Sequence, residues 1–233
     1  MRQFSNRYIF IFSSILVIVV ATLLSLAATL LQPAQARNLE IEKKRNMLES
    51  INVEATRENT EELYDKYIKE GFVVNSEGNV IEGVDAFTVV VKNEQKKQLE
   101  QQYFPVFRAE PDDGEKVIIV PVEGKGLWGP LYGYVSLKSD MNTIYGTNFD
   151  HKSETPGLGA EINTSDFESQ FRGKKLFENG NFISVKVLKG GADKNDPHGV
   201  DAISGGTITS KGLEKMIFDC LGKYNSYFQK NRI

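Results

Sequence analysis

Chemistry in this sequence concentrates at Asp201-Ala-Ile-Ser-Gly-Gly-Thr207-Ile-Thr-Ser210, where hydroxyls and glycines lead into an amphipathic helix. Ser204, Gly205 and Gly206 let the backbone come close to a ligand. The segment Thr207 to Ser210 offers unpaired N–H groups at the positive end of a helix dipole. A phosphoryl group fits that combination. A plainer reading stays open at this point, in which Ser204 or Thr207 caps the helix and binds nothing.

Other reactive side chains are scattered. His151 and Glu154 share one loop, but a single His and a single Glu make neither a metal site nor a competent acid–base pair. His198 reads as a structural loop residue. Cys220 is the only cysteine, which excludes an internal disulfide framework and any multi-cysteine metal or iron–sulfur centre supplied by this chain alone. Its place in the C-terminal helix is that of a small buried hydrophobe. No catalytic triad and no metal ligands emerge.

Two glycine loops stand out besides the helix start. Gly124-Lys-Gly126-Leu-Trp128-Gly129 lies between two β-rich runs and holds the only tryptophan, which on the residues alone is a core or rim side chain as readily as a ligand-facing one. Glu154-Thr155-Pro-Gly-Leu158-Gly159 follows the next strand candidate, its glycines permitting close approach and its proline stiffening the turn.

With these three stretches in order, the chain resembles the FMN-binding domain family. Asp201-x-x-Ser204-Gly205-Gly206-Thr207 is similar to that family's Asp-x-x-(Ser/Thr)-Gly-Ala-(Thr/Ser) flavinylation motif, departing only at Gly206, where alanine is usual. The Gly-Leu-Trp-Gly and Glu-Thr-Pro-Gly-Leu-Gly loops resemble two further signatures. The resemblance implies FMN held covalently by a phosphoester to Thr207, with Ser204, Gly205 and Gly206 about the phosphate. Glu154, Thr155, Leu158, Gly159 and Trp128 would border the isoalloxazine. A separate flavin transferase, using FAD as donor, would attach the group during maturation. The implied role is electron relay inside a membrane NADH:quinone oxidoreductase of the sodium-translocating kind, beside that complex's other subunits. An Rnf-type electron-transport complex is the alternative, and an anchored non-redox scaffold is a third reading.

The elements that must position these residues can be read from composition and periodicity. Residues 8–31 contain no charge and are long enough as a helix to cross the hydrocarbon layer of a bilayer, in contact with membrane lipid. A secretory signal cut after Ala34-Gln-Ala36 is the alternative, but its apolar core would be shorter. Arg2 and Arg7 precede the segment, so the short N-terminus (1–7) is expected in the cytoplasm and the remainder on the outer side of a bacterial inner membrane. Residues 37–71 read as two charged membrane-proximal helices, and 72–233 as the FMN-binding domain. The fold class expected is α+β: one FMN-binding domain with a β-sheet and flanking helices, preceded by one transmembrane helix.

Within the domain, strands are expected at Phe72–Val74, Val80–Ile81, Ala86–Val91, Lys116–Val122, Leu131–Leu137, Thr143–Phe149 and Phe182–Leu188, with Lys92–Gln102 a helix or long loop and a short helix near 165–171. Beyond Thr207, Leu213, Met216, Ile217, Cys220, Leu221, Tyr224 and Tyr227 form a core-facing stripe. The net charge of −3 and the absence of a basic run argue against nucleic-acid binding.

Overall fold

A computed structural model describes residues 5–232; Arg2, used above for orientation, lies outside them. The chain divides into a unit ending at Lys43 and a unit beginning at Lys44. The first consists mainly of helix α1 (Asn6–Ser50), whose early apolar residues are exposed. Among the described residues it is the one helix long and apolar enough to cross a membrane. The helices expected separately over 8–31 and from 37 onward are one, continuous through Pro33. Good helix formers on both sides tolerate the one backbone bond that a proline removes.

In the second unit the end of α1 is core rather than spacer: Met47 and Leu48, with Ile51 just beyond the helix, are buried together with Tyr67 of α2 (Thr60–Tyr67). A mixed-length antiparallel sheet follows, built from β1 (Ile68–Val74), β2 (Val80–Ile81), β3 (Phe104–Ala109), β4 (Val117–Lys125), β5 (Pro130–Lys138) and β6 (Ile144–His151), in the order β2-β1-β3-β4-β5-β6. Period-two patterning assigns its two faces. Phe72, Val74, Ile118, Val120, Val122, Leu131 and Val135 pack on one side, against α5 (Thr207–Lys223) and α6 (Asn225–Asn231). Val73, Phe107, Val117, Ile119 and Tyr134 pack on the other with the α1 end and α2. The expected helical stripe is that first contact: Leu213, Met216, Ile217, Cys220 and Leu221 are all buried.

Three expectations change. Ala86–Val91 is not a strand. Asp85 accepts the Phe87 N–H at 2.9 Å and starts a 3₁₀ turn over Ala86–Thr88, followed by the short α3 (Val91–Glu94). Strand β3 was not foreseen, because Pro105 and Arg108 interrupt its alternation; it sits between β1 and β4, with Pro105 opposite Val73. The expected Phe182–Leu188 strand is divided by Ser184, whose φ is +63°. After the short α4 (Ser165–Ser169), it becomes the hairpin β7 (Phe177–Glu178)–β8 (Asn181–Phe182), and β9 (Lys186–Leu188), which pairs in parallel with β10 (Gly199–Asp201). That parallel pair delivers the chain to the helix start that matters.

The edge strand β6 is closed off by a side chain. Glu168 of α4 accepts the Phe149 N–H at 2.6 Å. Burial pushes its carboxyl up, the Phe149 bond pulls the other way, and the nearby carboxylates of Glu49 and Asp150 raise it further, to about 7. The folded state therefore holds a proton that the unfolded state releases near the ordinary value of 4.5, so stability falls as pH rises between those values and is flat above them. Glu168→Gln keeps the acceptor and cannot titrate. Its thermal midpoint is expected to lose that decline, and an unchanged slope between pH 4.5 and 7 would show the assignment to be wrong.

Candidate functional site

Helix α5 begins without a side-chain cap. Its N-cap is Gly206, so neither Ser204 nor Thr207 serves the capping role left open by the sequence. The turn is tight: Gly206 N–H donates to Ile203 O at 3.0 Å, and Ser210 N–H reaches back to Gly206 O at 2.8 Å. Ser210 Oγ in turn accepts the Ile203 N–H at 3.1 Å. This restricts the amides open to a ligand to those of Thr207–Thr209, one fewer than expected. Thr207 itself is exposed as the first residue of the helix, and Ser204 and Gly205 are exposed beside it.

The loop before the turn is fixed by Asp201. Its Oδ1 accepts the Ala192 N–H at 2.6 Å, and its own N–H donates to Gln170 Oε1 at 2.8 Å. The aspartate of the motif is thus a staple between β10, the residue that follows α4 and the Gly190–Ala192 bend. Gly205 has φ +74°, a conformation that costs other residues strain, and a Cβ there would fall 2.5 Å from Leu158 Cδ2. The leucine of the Glu-Thr-Pro-Gly-Leu-Gly loop therefore lies directly on the glycine turn.

Glu154 gathers the remaining pieces. It is only 5% exposed, and both carboxylate oxygens are used: Oε1 accepts the N–H groups of Trp128 at 2.8 Å and Gly129 at 3.3 Å, while Oε2 accepts the Thr209 hydroxyl at 2.6 Å. Gly159 must lack a side chain here, since a Cβ would strike Thr209 Oγ1 and Glu154 Oε2. Burial by itself pushes the Glu154 carboxyl up. The bonds from Thr209, Trp128 and Gly129, with the nearby His151, outweigh that and leave it below its ordinary value. It is an ionised strut inside the protein.

The three sequence stretches therefore meet. These stretches also carry exposed apolar side chains: Trp128 at 67%, Ile208 at 59%, and Leu127 and Leu158 less so. Large apolar groups left in water beside a polar helix start suit a flat aromatic ligand carrying a phosphate. Thr155 is exposed and its carbonyl accepts the N–H groups of Leu158 and Ala160, each at 3.1 Å, so it shapes the loop through its backbone. His198 is buried with its Nδ1 2.6 Å from Lys175 O, the structural part expected of it. Among the described residues no group of three or more His, Cys, Asp or Glu side chains could hold a metal.

Sequence reasoning missed Thr209 and Ser210 as organisers of the site. A signal existed for Thr209: it precedes Leu213 by four and Met216 by seven, on the buried stripe of α5, and a buried hydroxyl needs a partner.

Comparison with known proteins places the chain among flavin-domain proteins. Residues 126–222 match the FMN-binding domain family. The NqrC subunit of Na(+)-translocating NADH-quinone reductase from Haemophilus ducreyi is 32% identical over 215 residues, covering 86% of this chain and 83% of that protein. The crystal structure of the corresponding NqrC subunit from Parabacteroides distasonis superposes with a TM-score of 0.78 at 44% identity, covering 85% of this chain and 96% of the other. That of Shewanella oneidensis NqrC gives 0.69 at 29% identity, covering 82% and 96%.

Proposed function

This chain belongs to the NqrC family of Na(+)-translocating NADH-quinone reductase subunits, and from that membership we propose that it relays electrons through an FMN carried on Thr207. It is a subunit of an oxidoreductase complex rather than a self-sufficient enzyme, and its NqrC relatives favour this over an Rnf-type complex. The FMN-binding domain match likewise disfavours a non-redox scaffold. When bound, the flavin supplies the redox chemistry, while the protein supplies position and electrostatics.

The observation that carries the attachment reading is the contrast between two hydroxyls two residues apart. Thr207 is exposed at an uncapped helix start, whereas Thr209 is 1% exposed and donates to Glu154. In maturation by a flavin transferase with FAD as donor, Thr207 would supply the hydroxyl oxygen that takes the FMN phosphoryl group, giving up its proton as the pyrophosphate bond breaks and AMP leaves. Ser204, Gly205 and Gly206 leave room for the phosphate, and the first amides of α5 favour its charge. Trp128, Leu158, Thr155 and Gly159, with Glu154 behind them, form the side offered to the ring.

The apolar part of α1 is the anchor, retained in the bacterial inner membrane among its lipids, with the flavin domain on the outer side. A relay whose cofactor is tethered cannot lose it between neighbouring subunits. The test is coexpression of the full chain with a flavin transferase, followed by denaturing electrophoresis under ultraviolet light. A yellow-fluorescent band in the membrane fraction is expected; a dark band with verified transferase activity would overturn the proposal.

A further inference from the structure

We infer that Thr209 is a positioning residue for the flavin site, holding the Trp128 loop against helix α5 by way of the Glu154 carboxylate. The inference rests on the function proposed above, but its geometry stands by itself. Thr209 Oγ1 donates to Glu154 Oε2 at 2.6 Å, and the other carboxylate oxygen accepts from Trp128 and Gly129. One side chain of the modified helix thus reaches the backbone of a loop about eighty residues earlier in the sequence through a single buried anion.

The connection is stiff for three reasons. Both oxygens of the carboxylate are occupied, so a change to another rotamer would give up partners it now holds. Bonds to a charged acceptor are the stronger kind. The pair also sits directly beside Gly159, where a Cβ would fall 2.4 Å from Thr209 Oγ1 and 2.6 Å from Glu154 Oε2. At the far end, Trp128 is 67% exposed while its backbone N–H is held by the Glu154 carboxylate. Thr209 has no side-chain atom to spare for flavin attachment and sits behind the exposed face, so its effect on a bound ring passes through Glu154 and the Trp128 loop.

The test uses Thr209→Val, nearly the same shape without the hydroxyl, and Thr209→Ser, which restores it. In the full-length flavin-free protein, amide hydrogen exchange at Trp128 and Gly129 is expected to rise roughly tenfold or more in the valine variant relative to amides of β4 and β5, and to return in the serine variant. In the flavin-loaded protein the valine variant is expected to keep its covalent FMN but to shift the visible flavin band, again reversed by serine. Exchange that stays unchanged, or that rises equally across the sheet, overturns the inference. So does selective exchange without any spectral change, since the loop would then be tied to Thr209 and not position the ring. A wild-type chain that takes no covalent flavin fails in the second measurement alone, and overturns the underlying function.

Discussion

Thr207→Val is expected to abolish covalent flavin completely while leaving the fold unchanged. The residue is exposed at the first position of α5, and the cap is Gly206, so no capping bond is lost with the hydroxyl. An exposed substitution of this kind alters stability by about 0.5 kcal/mol or less. The two hydroxyls that follow within α5 cannot substitute: Thr209 is held by Glu154, and Ser210 Oγ is engaged by the Ile203 amide. Ultraviolet fluorescence on a denaturing gel measures the loss, and peptide mass spectrometry assigns the site. An FMN mass on Thr209 or Ser210, with Thr207 bare, would contradict the assignment.

Glu154→Leu is expected to produce the largest loss of stability of any change at the site, about 3 kcal/mol, because three donors lose their acceptor in a buried place. They are the Trp128 and Gly129 amides and the Thr209 hydroxyl, and each unsatisfied group costs about 1–3 kcal/mol unless water reaches it. Glu154→Gln is expected to cost only about 1 kcal/mol. Its amide oxygen can accept both backbone N–H groups while its NH₂ donates to Thr209, whose hydroxyl can turn round. The two variants also separate charge from shape. The Glu154 carboxyl is held below its ordinary value of 4.5, so its contribution is present above that value and is lost as pH falls through the lower, folded one. The Gln variant should lack this acid dependence. Denaturant titrations from neutral pH down through the carboxylate range measure both quantities, and equal losses for Leu and Gln would refute the role of the strut.

Much of this was legible in the residues because the signals were local. The uncharged run over 8–31, the helical stripe from Leu213 to Leu221 and the hairpin of two β-rich runs about the Gly-Leu-Trp-Gly loop each express a periodicity that a few neighbouring residues complete. Where the outcome depended on one distant or competing bond, the reading went astray. Ala86–Val91 has strand-forming side chains, but the Asp85 carboxylate offers Phe87 a local partner and the chain turns instead. The β3 segment shows no clean alternation, and its pairing with β1 and β4 supplies what its own sequence does not.

The site divides along the same line. Which residues are chemically suited to a phosphate or an aromatic ring can be read from the chain, because glycine freedom, an available hydroxyl and the start of an amphipathic helix are properties of short segments. Folding settled the rest: Gly206 is the cap, Leu158 rests on Gly205, and Glu154 faces inward to join Trp128, Gly129 and Thr209. A carboxylate in a loop is equally able to face solvent, a ligand or the interior. What fixes the choice is the set of donors that folding brings within reach, and these come from residues 128, 129 and 209, which no local pattern connects.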